Sequence, residues 1–360
     1  MRVLAIVPSL YDTSPGQRFR IEQWEPLLRE GGVEITYAPF ETDELRRVLY
    51  QRGNVLSKVG AVSRGMARRR RELDDLKGFD LVYIFREAAL LGPPWFERKI
   101  ARSGVPVIFD FDDAVFFSYK SPSNGYLSYL KFPAKIAEIC HLVDHVMAGN
   151  EFLADYARPH SDRVTIVPTT IDTEKYRVIE KSNDPGILTI GWSGSFSTIQ
   201  HLDTIREVLQ ELAATEKFKL RVIGTPAYDL PGIDVEALAW RSESELEDLR
   251  TIDIGLMPLP DDNWSKGKCG LKALQYMALG IPTVCSPVGV NSTIIQDGES
   301  GFLADTAQDW IAKIKRLLHS PELRSEFGRK GRETVEEAYS AKAVAPRVLE
   351  IFKSTVRQRP

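Results

Sequence analysis

The strongest constraint in this chain is a rhythm. Short runs rich in β-branched residues alternate with helix-length amphipathic stretches, and the alternation happens twice. The first half offers VLAIV (3–7), VEITY (33–37), LVYIF (81–85), VPVIF (105–109), HVMAG (145–149) and VTIVP (164–168), with helical patterns at 18–30, 93–103, 126–141 and 150–158. The second half has ILTIGW (187–192), KLRVI (219–223), IDIGLM (252–257) and IPTVC (281–285), with helical stretches near 199–214, 243–250, 270–279, 306–319, 321–338 and 340–356. Nearly continuous apolar strands separated by helices predict parallel sheets covered on both faces. At 360 residues the chain exceeds what one core usually organises. The break is expected in TEKYRVIEKSNDPG (173–186), which is polar, aperiodic and ends in Asp-Pro-Gly. The expected fold class is therefore α/β, with two doubly wound domains, 1–172 and 173–340, facing a cleft. Ligands of such sheets bind beyond the carboxyl ends of the strands, so function is sought in the loops that follow strands.

Composition narrows the classes. Hydrophobic residues at 43% and charged residues at 27% suit a soluble globular chain and exclude a disordered or collagen-like one. Lys plus Arg number 47 against 50 for Asp plus Glu, which argues against nucleic acid as a partner. Cys140, Cys269 and Cys285 are odd in number and form no CxxC pair, so a reducing cytoplasm and no metal site are expected. No apolar run approaches the ~18 residues of a spanning helix. The opening MRVLAIVPSLYD reads as a first strand, not a signal peptide.

The richest segment is PLPDDNWSKGKCGLKALQYMALGIPTVCSPVG (258–289), between two apolar strands. Gly267 and Gly270 open a helix that Gly280 and Pro282 stop. Lys266 and Lys268 precede that helix, and Lys272 with Leu271 falls in its first turn. Positive charge is unfavourable at a helix N-terminus unless an anion sits there to accept the N–H groups and pair with the lysines. A solvated helix start with ordinary surface lysines is the plainer alternative. Gln275, one turn beyond Lys272, is placed to reach a ribose.

The run LKALQYMALGIPTV resembles the nucleotide-sugar signature of glycosyltransferase family 4, retaining enzymes of the GT-B fold. That family has Glu-x7-Glu ahead of A-M-A-x-G-x-P, which aligns its second glutamate with Gln275 and its first with Gly267. Gln275 keeps the capacity to bond ribose hydroxyls. Gly267 cannot touch a donor sugar through a side chain, and Asp261 or Asp262 are the candidate substitutes. Lys272 matches a basic residue of the branch with Tyr-Met-Ala.

The resemblance extends to other loops. In GWSGSFS (191–197), Gly194 and Ser195 would contact the diphosphate through backbone N–H groups and hydroxyls. Gly224 and Trp240 fall where the family forms its base pocket, though Trp240 equally suits a core. In YDTSPGQRFR (11–20), Gly16 allows close approach to the donor diphosphate, and Arg18 and Arg20 invite an anion. In FDFDDAVFF (109–117), Asp112 falls at the family's histidine position and Asp113 at its aspartate, with helix capping by Asp110 or Asp113 as the alternative. Arg86 and Glu87 follow LVYIF in the same sense, and Asn150 reads as a helix cap.

The resemblance implies two Rossmann-like domains and a last helix, about 341–360, crossing back to the first. It implies a UDP- or GDP-sugar donor, no metal or further cofactor, and transfer with retention to a hydroxyl of a carbohydrate or lipid-linked acceptor. Cell-surface polysaccharide or glycolipid synthesis is the expected setting. Roles in catalysis fall to Asp112, Lys268 and Lys272, the lysines stabilising the leaving diphosphate. The alternatives are a nucleotide-sugar 2-epimerase of the same architecture and a catalytically lapsed nucleotide- or membrane-binding scaffold.

The near-neutral total hides one basic stretch. Between Glu44 and Glu72 there is no acidic residue, yet Arg46, Arg47, Arg52, Lys58, Arg64 and Arg68 to Arg71 are all present. Interleaved with valines and leucines, they suit an anionic membrane surface or a solvated helix packed on its domain. The expected location is cytoplasmic, peripheral to the inner face of the membrane.

Overall fold

A computed structural model describes residues 1–49, 55–117, 132–179, 186–195 and 197–358. The start of the expected 126–141 helix, Arg52, part of the 173–186 break and Phe196 lie outside the described residues. The chain divides into two compact units: unit 1 is residues 1–169 with the segment from Val344 onward, and unit 2 is Thr170–Ala343. The C-terminal segment thus belongs to unit 1, where Val344, Val348, Ile351 and Phe352 are buried.

Unit 1 is built on six strands: β1 (Arg2–Val7), β2 (Glu34–Pro39), β3 (Leu81–Phe85), β4 (Val107–Phe111), β5 (His145–Ala148) and β6 (Val164–Ile166). They pair in parallel in the order β2-β1-β3-β4-β5-β6. The central β3 and β4 are buried throughout, as their unbroken apolar runs require, whereas the edge strand β2 alternates exposed and covered residues. The helix expected over 18–30 is interrupted. Residues Arg18–Glu22 form a π-type turn whose Arg20 is non-helical, φ −128° and ψ −110°, before the helix Gln23–Glu30 resumes. The cause is Arg20 itself, whose side chain is drawn inward to Asp110.

Unit 2 repeats the plan with β7 (Thr189–Ser193), β8 (Lys219–Ile223), β9 (Asp234–Leu238), β10 (Ile254–Met257), β11 (Thr283–Cys285) and β12 (Phe302–Leu303). The order is β12-β11-β10-β7-β8-β9, again parallel. Ile190, Trp192, Leu220, Val222, Ile254 and Leu256 form its core with Leu209, Leu212, Trp310 and Ile314 from the covering helices. The sequence reading missed β9 and β12: the first is a part-exposed edge strand, DVEAL, and the second has only two residues. In each sheet the strand order reverses at one point, beside β1 and beside β7. Loops at the carboxyl ends there are the ones that position ligands in doubly wound sheets.

Candidate functional sites in the two units

Unit 2 builds its candidate ligand face after β10. Asp262 accepts the Ser265 N–H at 2.7 Å and so starts a short helical turn, Asn263–Lys266. Lys266 pairs with Asp261 at 3.0 Å. Gly267 ends that turn, and the chain then passes through Gly270 at φ +71°, where a side chain is disfavoured. The helix Leu271–Ala278 begins there, and no side chain caps its first turn. Lys272, in that turn, places Nζ 5.4 Å from the centre of the Trp192 ring, and Lys268 Nζ lies 4.8 Å from that of Trp264. Aromatic faces hold two ammonium groups beside a helix end that itself carries partial positive charge. Such an end suits a phosphate.

Behind this helix lies a hub that sequence reasoning missed. The buried Glu245 carboxylate accepts from Tyr176 Oη at 3.0 Å, Trp240 Nε1 at 2.9 Å and Gln275 Nε2 at 3.2 Å. Only burial reveals it; in sequence, ESELEDL reads as an ordinary acidic surface helix. Two expectations change as a result. Gln275, read as reaching for a ribose, is 3% exposed and turns its amide nitrogen inward to Glu245 and Tyr176. Trp240 commits its indole N–H to Glu245, a structural tie. Asp261 and Asp262, candidates to replace a glutamate at Gly267, are committed to Lys266 and to the helix cap.

The loop after β7 also differs from its expected role. The Gly194 N–H donates to Ile223 O at 2.9 Å, and the Ser195 N–H to Thr198 Oγ1 at 3.0 Å. Ser195 Oγ lies 2.8 Å from Ser197 Oγ. The backbone donors assigned to a diphosphate therefore serve the loop itself. Gly224, at φ +107°, packs on the same loop: a Cβ there would lie 1.8 Å from Gly194 O. It is a glycine because two backbones touch, with no base pocket needed to explain it.

Unit 1 gathers its charged residues at the carboxyl ends of β1, β3 and β4. Asp110 is fully buried and forms a bidentate pair with Arg20, Nε–Oδ2 2.7 Å and Nη2–Oδ1 2.5 Å, while also accepting from Tyr83 Oη. Arg20 gives a third bond to Val167 O at 2.8 Å. Arg20 is thus a structural cation, not the anion trap its place in the sequence suggested, and Asp110 is no helix cap. Arg18 is 8% exposed, with Nε 2.7 Å from Asp12 Oδ1. The first-unit loop therefore carries its own counter-ion. Asp112 lies beyond β4 with Oδ1 2.7 Å from Arg86 Nε. Burial alone raises the pKa of Asp112, but the charge and hydrogen bond of Arg86 outweigh it and hold the carboxyl below its usual range. Gly16 lies against both: a Cβ there would be 2.7 Å from Arg86 Nη2 and 3.1 Å from Asp112 Oδ2. Glu87 pairs with Lys135 at 2.7 Å, and Asn150 caps its helix by accepting the Leu153 N–H.

The basic segment forms the helices Asp43–Leu49 and Val55–Glu72. Two of its arginines face inward. Arg69 is buried and donates to Ala38 O, Ala88 O and Glu72, and Arg68 donates to Pro39 O and Phe40 O. Lys58 is buried as well. Only part of the run faces outward: Arg47, Arg64, Arg70 and Arg71 are exposed, Arg64 paired with Glu44, along with Leu56 and Val59. Among the described residues no helix is long and apolar enough to cross a membrane.

Residues 187–320 match the model of the family described as Glycosyl transferases group 1. A D-inositol 3-phosphate glycosyltransferase of Stackebrandtia nassauensis is 26% identical over 213 residues, 51% of this chain and 47% of that protein. The chain spans about half the length of the curated relatives it matches. Among solved structures, sucrose-phosphate synthase from Thermosynechococcus elongatus superposes with a TM-score of 0.72 at 14% identity, over 98% of this chain and 99% of that one. A UDP-forming α,α-trehalose-phosphate synthase from Burkholderia xenovorans gives 0.64 at 13% identity, over 99% of each. Residues 187–320 thus resemble the group 1 glycosyl transferases, and the chain has the GT-B fold of two Rossmann-like units.

Proposed function

We propose that the protein is a glycosyltransferase that takes a sugar from a nucleoside-diphosphate sugar, UDP or GDP, and delivers it to a hydroxyl of a carbohydrate or lipid-linked acceptor with retention. One observation carries this reading. Within residues 187–320, an uncapped helix starts at a left-handed Gly270, flanked by Lys266, Lys268 and Lys272. An oxygen-rich diphosphate suits that end, accepting its N–H groups and adding hydrogen bonds from the lysines beside it. As the sugar departs, charge grows on the diphosphate, and lysines already positioned would stabilise it. The UDP-forming synthase among the structural neighbours supports UDP as the first donor base to try. Calorimetric titration with UDP, GDP, ADP and TDP should find one clear binder; binding of none would sink the reading.

A scaffold without turnover is the second reading, favoured by Gly267, by the inward Gln275 and by the engaged Gly194 and Ser195 N–H groups. Slow donor hydrolysis without acceptor separates the two, since only a transferase consumes the sugar nucleotide. The basic helix Val55–Glu72 supports placement on an anionic lipid surface inside the cell, in glycolipid or surface-polysaccharide synthesis, through the outward Arg64, Arg70 and Arg71 beside Leu56 and Val59. Flotation with anionic liposomes should weaken when those three arginines become alanine. Unchanged flotation removes the membrane from the account.

A further inference from the structure

Arg86 holds a backbone conformation that ordinary folding would give to glycine. It ends β3 at φ +60°, in the left-handed region. Its N–H is pinned by a 2.7 Å bond to Asp110 O, on the neighbouring strand. The reversed backbone returns the guanidinium over the sheet end, 5.1 Å from the Phe85 ring centre, with Nε on Asp112 Oδ1. Both charged groups lie against the bare backbone of Gly16, where a Cβ would come within 2.7 Å of the guanidinium and 3.1 Å of the carboxylate. Strain of this kind in a non-glycine residue persists only where surrounding structure imposes it, and it clusters at functional sites.

We propose that Arg86 is a positioning residue: it fixes the Asp112 carboxylate above Gly16, aimed to accept a hydrogen bond from a hydroxyl of a sugar or polyol substrate. The inference rests on the transferase reading and adds a residue to it. Three observations bear on it together. The neighbouring Asp110 cannot do the same task, because Arg20 and Tyr83 already occupy it. Despite burial, Arg86 and, more weakly, Arg20 favour the charged form of Asp112 and hold its pKa below the usual range, so the carboxylate stays ionised and an acceptor. Arg86 retains 28% exposure and Asp112 8%, so the pair is nearly enclosed with its cationic side toward solvent.

The substitution Arg86→Gly tests this, because glycine relieves the left-handed backbone while deleting the guanidinium. Relief of the left-handed backbone offsets part of the cost of leaving the nearly buried Asp112 without its partner, so thermal stability should fall by less than in Arg20→Leu. Turnover, read as acceptor-free hydrolysis of the sugar nucleotide whose base the titration selects, should fall about a hundredfold in kcat, with KM changing less than about threefold. Arg86→Lys, which keeps a cation near Asp112, should recover part of that loss. The double variant Arg86→Gly with Asp112→Asn should be no slower than Asp112→Asn alone, since the two residues act as one device. Wild-type kcat in Arg86→Gly, or additive losses in the double variant, would overturn the proposal. Titration of the same wild-type preparation with UDP and GDP keeps the failures apart: absence of nucleotide binding sinks the transferase reading itself.

Discussion

The two units face their ligand ends with opposite chemistry. In unit 1 the three arginines gathered near the strand ends each have a carboxylate within their own unit: Arg20 with Asp110, Arg86 with Asp112, Arg18 with Asp12. In unit 2 two of the three lysines rest over tryptophan rings, and the buried carboxylate Glu245 is satisfied by a phenol, an indole and an amide. Charge in unit 1 fixes geometry, whereas charge in unit 2 gathers at a helix end that an anion would complete. Cationic side chains in a sequence can therefore serve opposite ends, and what differs is the surface packed beside them: a carboxylate at Arg20, Arg86 and Arg18, an indole ring at Lys268 and Lys272.

Breaking the unit 1 side of this contrast should have the largest effect. Arg20→Leu leaves Asp110 buried without its partner, and unfolding in denaturant should show a loss of about 3–5 kcal/mol. In unit 2, where backbone packing rather than charge sets the loop, Gly224→Ala drives a Cβ into Gly194 O, and about 3 kcal/mol should be lost. A pH series probes unit 1 more gently. Burial, reinforced by the charge of Arg163, lowers the pKa of His145 to about 4 from its ordinary 6.5. The unfolded chain therefore takes up a proton that the folded one refuses, and stability should fall as pH drops from about 6.5 toward 4. His145→Gln should flatten that slope. The mildest change is Asp262→Ala, which removes one helix cap before the lysines and should cost about 1 kcal/mol by thermal unfolding.

The contrast also explains what could be read ahead of the structure. Strand after strand announced itself as an apolar run because parallel sheets bury both faces, and Gly270, Gly280 and the lysines between strands punctuated the unit 2 site. Arg20 and Asp110 gave no such signal: ninety positions separate them, and only the folded sheet brings them within 2.5 Å. Nor does an arginine-rich helix declare which turn faces inward, which is why Arg68 and Arg69 read as surface charge and prove to be ties to the β2 end. Glu245 was hidden for the same reason, an acidic residue among acidic residues whose burial no local pattern marks.

The central claim is that unit 2 holds the nucleotide through the helix end at Gly270 while the ion pair at Gly16 acts on another part of the reaction. Calorimetric titration of Lys272→Ala and Arg86→Gly with the preferred nucleoside diphosphate tests it most directly. Lys272→Ala should weaken binding tenfold or more, about 1.4 kcal/mol, while Arg86→Gly leaves it unchanged. Equal affinity in Lys272→Ala and wild type, or a loss confined to Arg86→Gly, would contradict the account.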